Sequence, residues 1–176
     1  MHILIGIITA IAGLVWALNS LQNSGVNLNA FNPFMWLRRR KWEKSLGTKP
    51  MHALTDSMEV AALLVVAVAK EQGDITRDSK AEILSIFERE FGVRHSKAIE
   101  IYSFSVYLIQ DTLNMAEEVR HILKPSKESF TSVHIAKLIT MLKETASLEI
   151  ITEGQQAIIK SVELEFKDDE ASASNW

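Results

Sequence analysis

The sequence predicts an all-α protein, in which a single N-terminal transmembrane helix precedes a helical bundle. Three observations support this fold class. The 176 residues include only 7 Gly and 3 Pro, which favours helices over a turn-rich β protein. Residues 1–37 contain no Asp, Glu, Lys or Arg. From residue 50 onward, apolar residues recur at the three- and four-residue spacing of helices, and no segment alternates as a strand would.

The first predicted element is a transmembrane helix at residues 3–21, ILIGIITAIAGLVWALNSL. As a helix this uncharged stretch would span about 28 Å, close to the roughly 30 Å hydrocarbon core of a bilayer. A cleaved signal peptide is the alternative, but it needs a basic segment ahead of the apolar run, where only Met1 and His2 stand. We therefore expect a retained anchor. Small residues at four-residue spacing, such as Gly6 and Ala10, would also allow a homo-oligomer to form through this helix.

Residues 22–50 are predicted to be a juxtamembrane loop that ends in a basic and aromatic membrane collar. The collar consists of Trp36, Arg38, Arg39, Arg40, Lys41 and Trp42. Residues 38–49 carry a net charge of +5, whereas residues 50–176 carry −8. Because positive charge stays on the cytoplasmic side, we expect the N-terminus outside and the C-terminal domain in the cytoplasm, with the collar on anionic lipid headgroups. An acidic body repels phosphate backbones, so no nucleic-acid partner is expected.

Residues 51–166 are predicted to form the helical domain. Its first helix, near residues 56–72, is apolar on every face between residues 60 and 69 and is too short to cross a bilayer, so it should be the buried centre of a bundle. Amphipathic helices follow at about 76–91 and 96–110, then a shorter one before Pro125, and two more up to residue 166. The tail at 167–176 lacks periodicity and is predicted to be disordered.

Two segments of this domain share a pattern. VVAVAKEQGDITRDSKAEIL and LKETASLEIITEGQQAIIKS each contain an apolar helix, a short break, an Ile-Thr pair and an amphipathic helix. Ile75-Thr76 corresponds to Ile151-Thr152 in this comparison. Two helical hairpins of one design predict a bundle built from two weakly related repeats.

Acidic residues concentrate at the break in the first of these segments. Glu71, Asp74 and Asp78 are candidate metal ligands, because hard divalent cations such as Ca²⁺ prefer carboxylate oxygens. The segment is not an EF-hand, since counting from Asp74 puts Ser79 where the loop needs Gly. The alternative is that these acids stabilise the N-terminus of the following helix through its dipole. A divalent cation is the one cofactor that the sequence suggests.

No pattern of a catalytic site is present. The chain has no cysteine, which excludes thiol chemistry and disulfides. The histidines of the body, which lack the spacing of a metal-binding motif, are His52, His95, His121 and His134. Gly-rich phosphate loops and the GxSxG elbow are also missing. We therefore do not expect an enzyme.

The segment AALLVVAVAKEQGDITRDSKAEILSIFEREFG resembles the tellurite-resistance TerB-like family. The signature of that family is an Ala-rich helix, then A-x-A-D-G-x-I, then an acidic amphipathic helix. Ala69, Gly73 and Ile75 match it, whereas Gln72 and Glu71 stand where the family has Asp and often Ala. The resemblance covers about residues 55–166 and implies an all-α bundle of two related halves. It also implies divalent-cation binding by the family's acidic residues.

The second repeat is more distant from the signature, since it keeps Ala146 and Ile151 but has Leu148-Glu149 in place of Asp-Gly. One span ahead of a TerB-like domain is also similar to the membrane-anchored DnaJ-like co-chaperones, but this chain has no His-Pro-Asp tripeptide and hence no J domain. The layout implies a protein of the bacterial inner membrane. We expect a cytoplasmic interaction, scaffold or sensor module with unidentified protein partners, in envelope or tellurite and metal-oxyanion stress. The alternative is a divalent-metal-binding module centred on residues 71–78.

Overall fold

The structure is a computed structural model that describes residues 49–173, with side chains described through residue 167. Within this range the chain forms six α-helices, two short 3₁₀ helices and no strand, which confirms the all-α prediction for this part. In chain order the elements are η1 (Pro50–Ala53), α1 (Ser57–Lys70), α2 (Arg77–Phe91), α3 (His95–Ile109), α4 (Met115–Leu123), η2 (Lys127–Ser129), α5 (Ser132–Ala146) and α6 (Glu153–Ala173).

The predicted transmembrane helix at 3–21 and the collar at 36–42 lie outside the described residues. Among the helices of residues 49–173, none combines the length and the hydropathy needed to cross a bilayer.

Helix α1 is the centre of the bundle, as its sequence predicts. Its residues 60–68 are all buried, with no more than 4% of any residue exposed. It contacts α3 and α5 most extensively and also contacts α2, α4 and α6. The helix begins cleanly because the Asp56 carboxylate accepts hydrogen bonds from the backbone N–H groups of Met58 (2.8 Å) and Glu59 (3.2 Å). Because α1 is apolar on all sides, packing against a single neighbour would leave part of its apolar surface in water. Every face therefore has to contact another helix.

The peripheral helices are amphipathic and have defined ends. The hydroxyl of Thr76 caps α2, and Gly92 ends it in the left-handed conformation (φ 65°), which glycine adopts without steric cost. Thr131 and His134 form a reciprocal capping box at the start of α5. These caps fix where the helices begin and end. The buried sides of the peripheral helices meet α1 and also one another, since α2 contacts α3 and α4 contacts α6.

Helix α6 is longer than its apolar pattern predicts. The sequence pattern favours disorder from residue 167, whereas the helix continues through Ala173. Residues 167–173 contain neither Gly nor Pro, and extending an existing helix is far less costly than starting one. The absence of an apolar face therefore does not by itself end this helix.

The start of the described chain is fastened to α4 by one carboxylate. Glu118 accepts hydrogen bonds from Lys49 Nζ and from Nε2 of His52 (2.6 Å), while Met51 is buried. The hydrogen bond from Lys49 is the main cause that holds the pKa of Glu118 below its ordinary value, with a smaller contribution from His52, and burial opposes both. The ring of His121 lies 5.4 Å from that of His52. Tertiary structure thus brings together two histidines that are unrelated by sequence spacing.

The lowered pKa of Glu118 predicts how this junction responds to acid. A carboxyl whose pKa is lower in the folded state stabilises the fold fully above its ordinary pKa, and the contribution disappears as the pH falls through the lowered value. Glu118→Gln should therefore reduce the free energy of unfolding at pH 7 by about 1–2 kcal/mol. The difference from wild type should shrink below about pH 4. Denaturant unfolding between pH 3 and 7 measures both, with the exposed neighbour in Glu117→Gln as control; equal losses in both variants would contradict the prediction.

Candidate functional site

The two turns that share the Ile-Thr pattern lie side by side at one end of the bundle. This double-turn end comprises the α1–α2 turn (residues 71–76) and the α5–α6 turn (residues 147–152). Gln72 Nε2 donates to the carbonyl of Ile150 (2.6 Å), and Ser79 Oγ at the start of α2 donates to Glu149 Oε1 (3.0 Å). Side chains of one hairpin therefore fix the backbone and the acidic side chain of the other.

Both turns end in the same capping arrangement. The Thr76 hydroxyl accepts from the backbone N–H of Ser79 (3.1 Å), and the Thr152 hydroxyl accepts from that of Gln155 (3.2 Å). In each case the threonine of the Ile-Thr pair satisfies a free N–H three residues into the next helix. The sequence similarity between the two segments thus has a local structural counterpart.

Gln155 joins the double-turn end to the central helix, and the sequence analysis did not single it out. It is 1% exposed; its Nε2 donates to the carbonyl of Val68 (2.9 Å), and its Oε1 accepts from the N–H of Thr152 (3.1 Å) and from Gln72 Nε2 (3.2 Å). The sequence did contain a signal for this residue: Gln155 follows Thr152 by three positions, which is the spacing of a capping box at a helix N-terminus. The contact with Val68 had no sequence signal, since the two residues are 87 apart.

The three predicted metal ligands are distributed over this end rather than gathered. A Cβ built on Gly154 would lie 2.7 Å from Cγ of Glu71, so the Glu71 side chain lies against the first turn of α6, where the helix dipole favours a carboxylate. Asp74 lines a cavity between the turns, and Asp78 lies in the first turn of α2. Across the described residues, no three His, Asp or Glu side chains form a group that could hold a metal ion.

The inter-turn cavity has a volume of about 40 Å³ and contains an unusual hydroxyl. It is lined by Asp74, Glu149 and Thr145, together with Gln72, Ser79 and Gln155. Thr145 is 3% exposed, and its Oγ1 has no hydrogen-bond partner in the described part of the chain. On the same helix Thr140 donates to the carbonyl of Ala136 (2.9 Å), the usual bond of a helical threonine. The Thr145 hydroxyl is therefore a buried polar group beside the cavity that no described residue satisfies.

A second feature is an apolar groove between the start of α1, the end of α2 and α5. Its volume is about 330 Å³, and an adjoining hollow of about 390 Å³ continues past Val133 along α5. The apolar side chains that line the groove are Met58, Ala61, Phe91, Phe130, Val133 and Met141. Val133 is 61% exposed at the edge of this groove and continues its apolar lining to the surface. The groove thus presents apolar surface to solvent.

The charged side chains beside this groove form ion pairs with one another. Glu90 pairs with Arg89 (2.8 Å) and with Lys137 (3.4 Å), and Arg89 also reaches Glu144 (2.6 Å). The hydrogen bond from Arg89 is the main cause of the lowered pKa of Glu90, and Lys137 adds to it. Because these rim charges are paired, the groove offers apolar contacts rather than a site for a free ion.

Comparisons with known proteins found no match to this chain among protein-family models, curated proteins or solved structures. The TerB-like resemblance consequently stays a prediction that rests on the residues quoted for it.

Gln155 provides a test of how the double-turn end is held. Gln155→Leu keeps the volume but leaves the Thr152 N–H and one hydrogen-bonding position of the Val68 carbonyl without partners, so we expect the free energy of unfolding to fall by about 2–4 kcal/mol. Gln156→Leu is the matched control, because the neighbouring glutamine is exposed, and it should change stability by less than about 0.5 kcal/mol. Denaturant unfolding measures both, and a Gln155→Leu protein as stable as wild type would refute this role.

Proposed function

We propose that this protein is a membrane-anchored module that binds a partner protein in the cytoplasm through the α1–α2–α5 groove. The observation that carries the proposal is the groove itself, an open apolar surface with Val133 61% exposed at its edge. Grooves of this kind between helices accept the apolar face of an amphipathic helix. The partner would insert one or two large apolar side chains beside Met58 and Phe91.

The sequence supplies the remaining parts of the proposal. The uncharged stretch at 3–21 would anchor the chain in the bacterial inner membrane, and the collar would hold it at anionic headgroups with the bundle on the cytoplasmic side. The resemblance to TerB-like proteins supports a scaffold or sensor role in envelope or metal-oxyanion stress. The two hairpins with equivalent threonine caps support the two-repeat architecture that this resemblance implies.

The groove predicts that one exposed apolar residue matters for binding and another does not. Val133→Asp places a carboxylate in the groove and should reduce co-purification of partner proteins from intact membranes by tenfold or more, since a buried unpaired charge costs several kcal/mol. Leu164→Asp is the matched control, because Leu164 is 49% exposed on α6 outside the groove. Quantitative mass spectrometry after mild detergent extraction measures the loss. Equal recovery from the two variants would argue against the groove as the binding site.

A divalent-metal-binding module is the second candidate, and the inter-turn cavity favours it. Asp74 and Glu149 bring two carboxylates to the cavity, and the Thr145 hydroxyl supplies a further oxygen without a partner. These are the oxygen ligands that Mg²⁺, Ca²⁺ and Mn²⁺ prefer. The candidate site is thus centred between the two turns, and of the predicted ligands it uses Asp74 rather than Glu71 or Asp78.

Calorimetric titration of the full-length protein in detergent with Ca²⁺, Mg²⁺ and Mn²⁺ tests this candidate. If the cavity binds a cation, one of the metals should release or absorb heat and raise the melting temperature at millimolar concentration. The variant Asp74→Asn/Glu149→Gln should abolish both effects, whereas Glu82→Gln, a neighbouring exposed acid on α2, should preserve them. Absence of heat with all three metals would eliminate the metal-binding candidate.

A further inference from the structure

The double-turn end presents a rigid apolar knob to solvent. Ile150 is 89% exposed and Ile151 is 46% exposed, so both aliphatic side chains project from the α5–α6 turn. The carbonyl of Ile150 is held by Gln72 (2.6 Å), and Thr152, the next residue after the pair, is fixed through Gln155 (3.1 Å). A turn fixed at both ends positions these side chains without the entropy cost of ordering a mobile loop.

Carboxylates surround this knob. Glu149 precedes it and Glu153 follows it along the chain, while Glu71 lies against Gly154 of the same turn region. Asp74 lines the same small cavity as Glu149. Asp78 is adjacent to Ser79, whose hydroxyl bonds to Glu149 (3.0 Å). Tertiary packing of the two hairpins thus brings to one place acids that are more than seventy residues apart in the sequence.

No ion pair within the described residues involves these five carboxylates, whereas several acids elsewhere on the bundle are paired with basic side chains. Glu90, Glu118 and Glu165 each pair with two basic side chains. Within residues 49–167, by contrast, no ion pair involves any of the five acids of the double-turn end: Glu71, Asp74, Asp78, Glu149 and Glu153. The nearest lysine on α2, Lys80, lies over the ring of Tyr102 instead (5.2 Å). Lys70 and Arg77 are adjacent in sequence to Glu71 and Asp78, but five carboxylates outnumber these two bases, so this end keeps a net negative charge.

We propose that the double-turn end is a second docking surface, which binds a protein surface that carries a shallow apolar socket rimmed by lysine or arginine. Ile150 and Ile151 would fill the socket, and the ring of carboxylates would attract its basic rim. Charge complementarity selects this occupant, because anionic lipids and nucleic acids would be repelled by the same carboxylates. The inference rests on the proposed role of the chain as an interaction module but uses a surface separate from the groove.

Site-specific photo-crosslinking of the full-length protein in intact cells tests this surface directly. A photoreactive residue is placed at position 150, at position 133 in the groove, or at position 113, where Leu113 is fully exposed in the α3–α4 loop and serves as the control. We expect a defined crosslinked product at position 150 and none at 113, and mass spectrometry should map its partner peptide beside lysine or arginine residues. With the crosslinker at position 147, where Ser147 is exposed in the same turn, Ile150→Ser should reduce the yield about tenfold, and so should Asp78→Asn/Glu153→Gln. Leu113→Ser should leave it unchanged.

The outcomes separate this inference from the groove. A product at position 133 and none at 150 would overturn the second docking surface and leave the groove proposal intact, whereas no product at either position would contradict both. A partner whose mapped contact lacks basic residues would overturn the charge argument. A yield at position 147 that is insensitive to Ile150→Ser would contradict the role of the two isoleucines. Loss of the product on adding millimolar Ca²⁺ to permeabilised cells, with heat of binding to the purified protein, would favour the metal-binding candidate instead.

Discussion

The burial of α1 on all sides is the constraint on which the rest of the structure depends. A helix with residues 60–68 apolar on every face cannot rest on one neighbour, because its uncovered side would remain in water. Helices α3 and α5 make the most extensive contacts with α1, and α2, α4 and α6 pack against the rest of it. Each of these needs an apolar stripe on only one side, which is the pattern that their sequences contain. The amphipathic periphery is thus a consequence of the uniformly apolar centre.

A completely enclosed helix also creates a difficulty at its end, where backbone carbonyls have no partner in the next turn. Gln155 donates a hydrogen bond to the Val68 carbonyl, and its Oε1 accepts one from the backbone N–H of Thr152 in the α5–α6 turn. The double-turn end is therefore part of how the central helix terminates. The α1–α2 turn and the α5–α6 turn meet at this end of α1 through the hydrogen bonds of Gln72 and Ser79. The acids and isoleucines of both turns therefore belong to one surface.

The two proposed binding surfaces differ in how their charges are treated. Around the groove, Arg89 and Lys137 both pair with Glu90, so apolar contacts dominate there. At the double-turn end no carboxylate forms an ion pair with another residue of 49–167, and the exposed aliphatic residues are few. Apolar burial supplies affinity, whereas unpaired charge supplies selectivity and faster association. As proposed, the two surfaces would therefore bind partners of different chemistry.

The sequence by itself determined the helical class, the central position of α1 and the Ile-Thr turn in each hairpin, because periodicity and capping are local properties of the chain. It also marked Glu71, Asp74 and Asp78 as candidate metal ligands, which stays a prediction, because proximity in sequence does not decide where each side chain lies. Only the tertiary structure decided that Glu71 lies against α6, that His52 lies beside His121 and that Asp74 and Glu149 line one cavity. It also left the Thr145 hydroxyl without a hydrogen-bond partner among the described residues. These contacts join residues far apart in the chain, and their geometry follows from packing around α1, which no local pattern encodes.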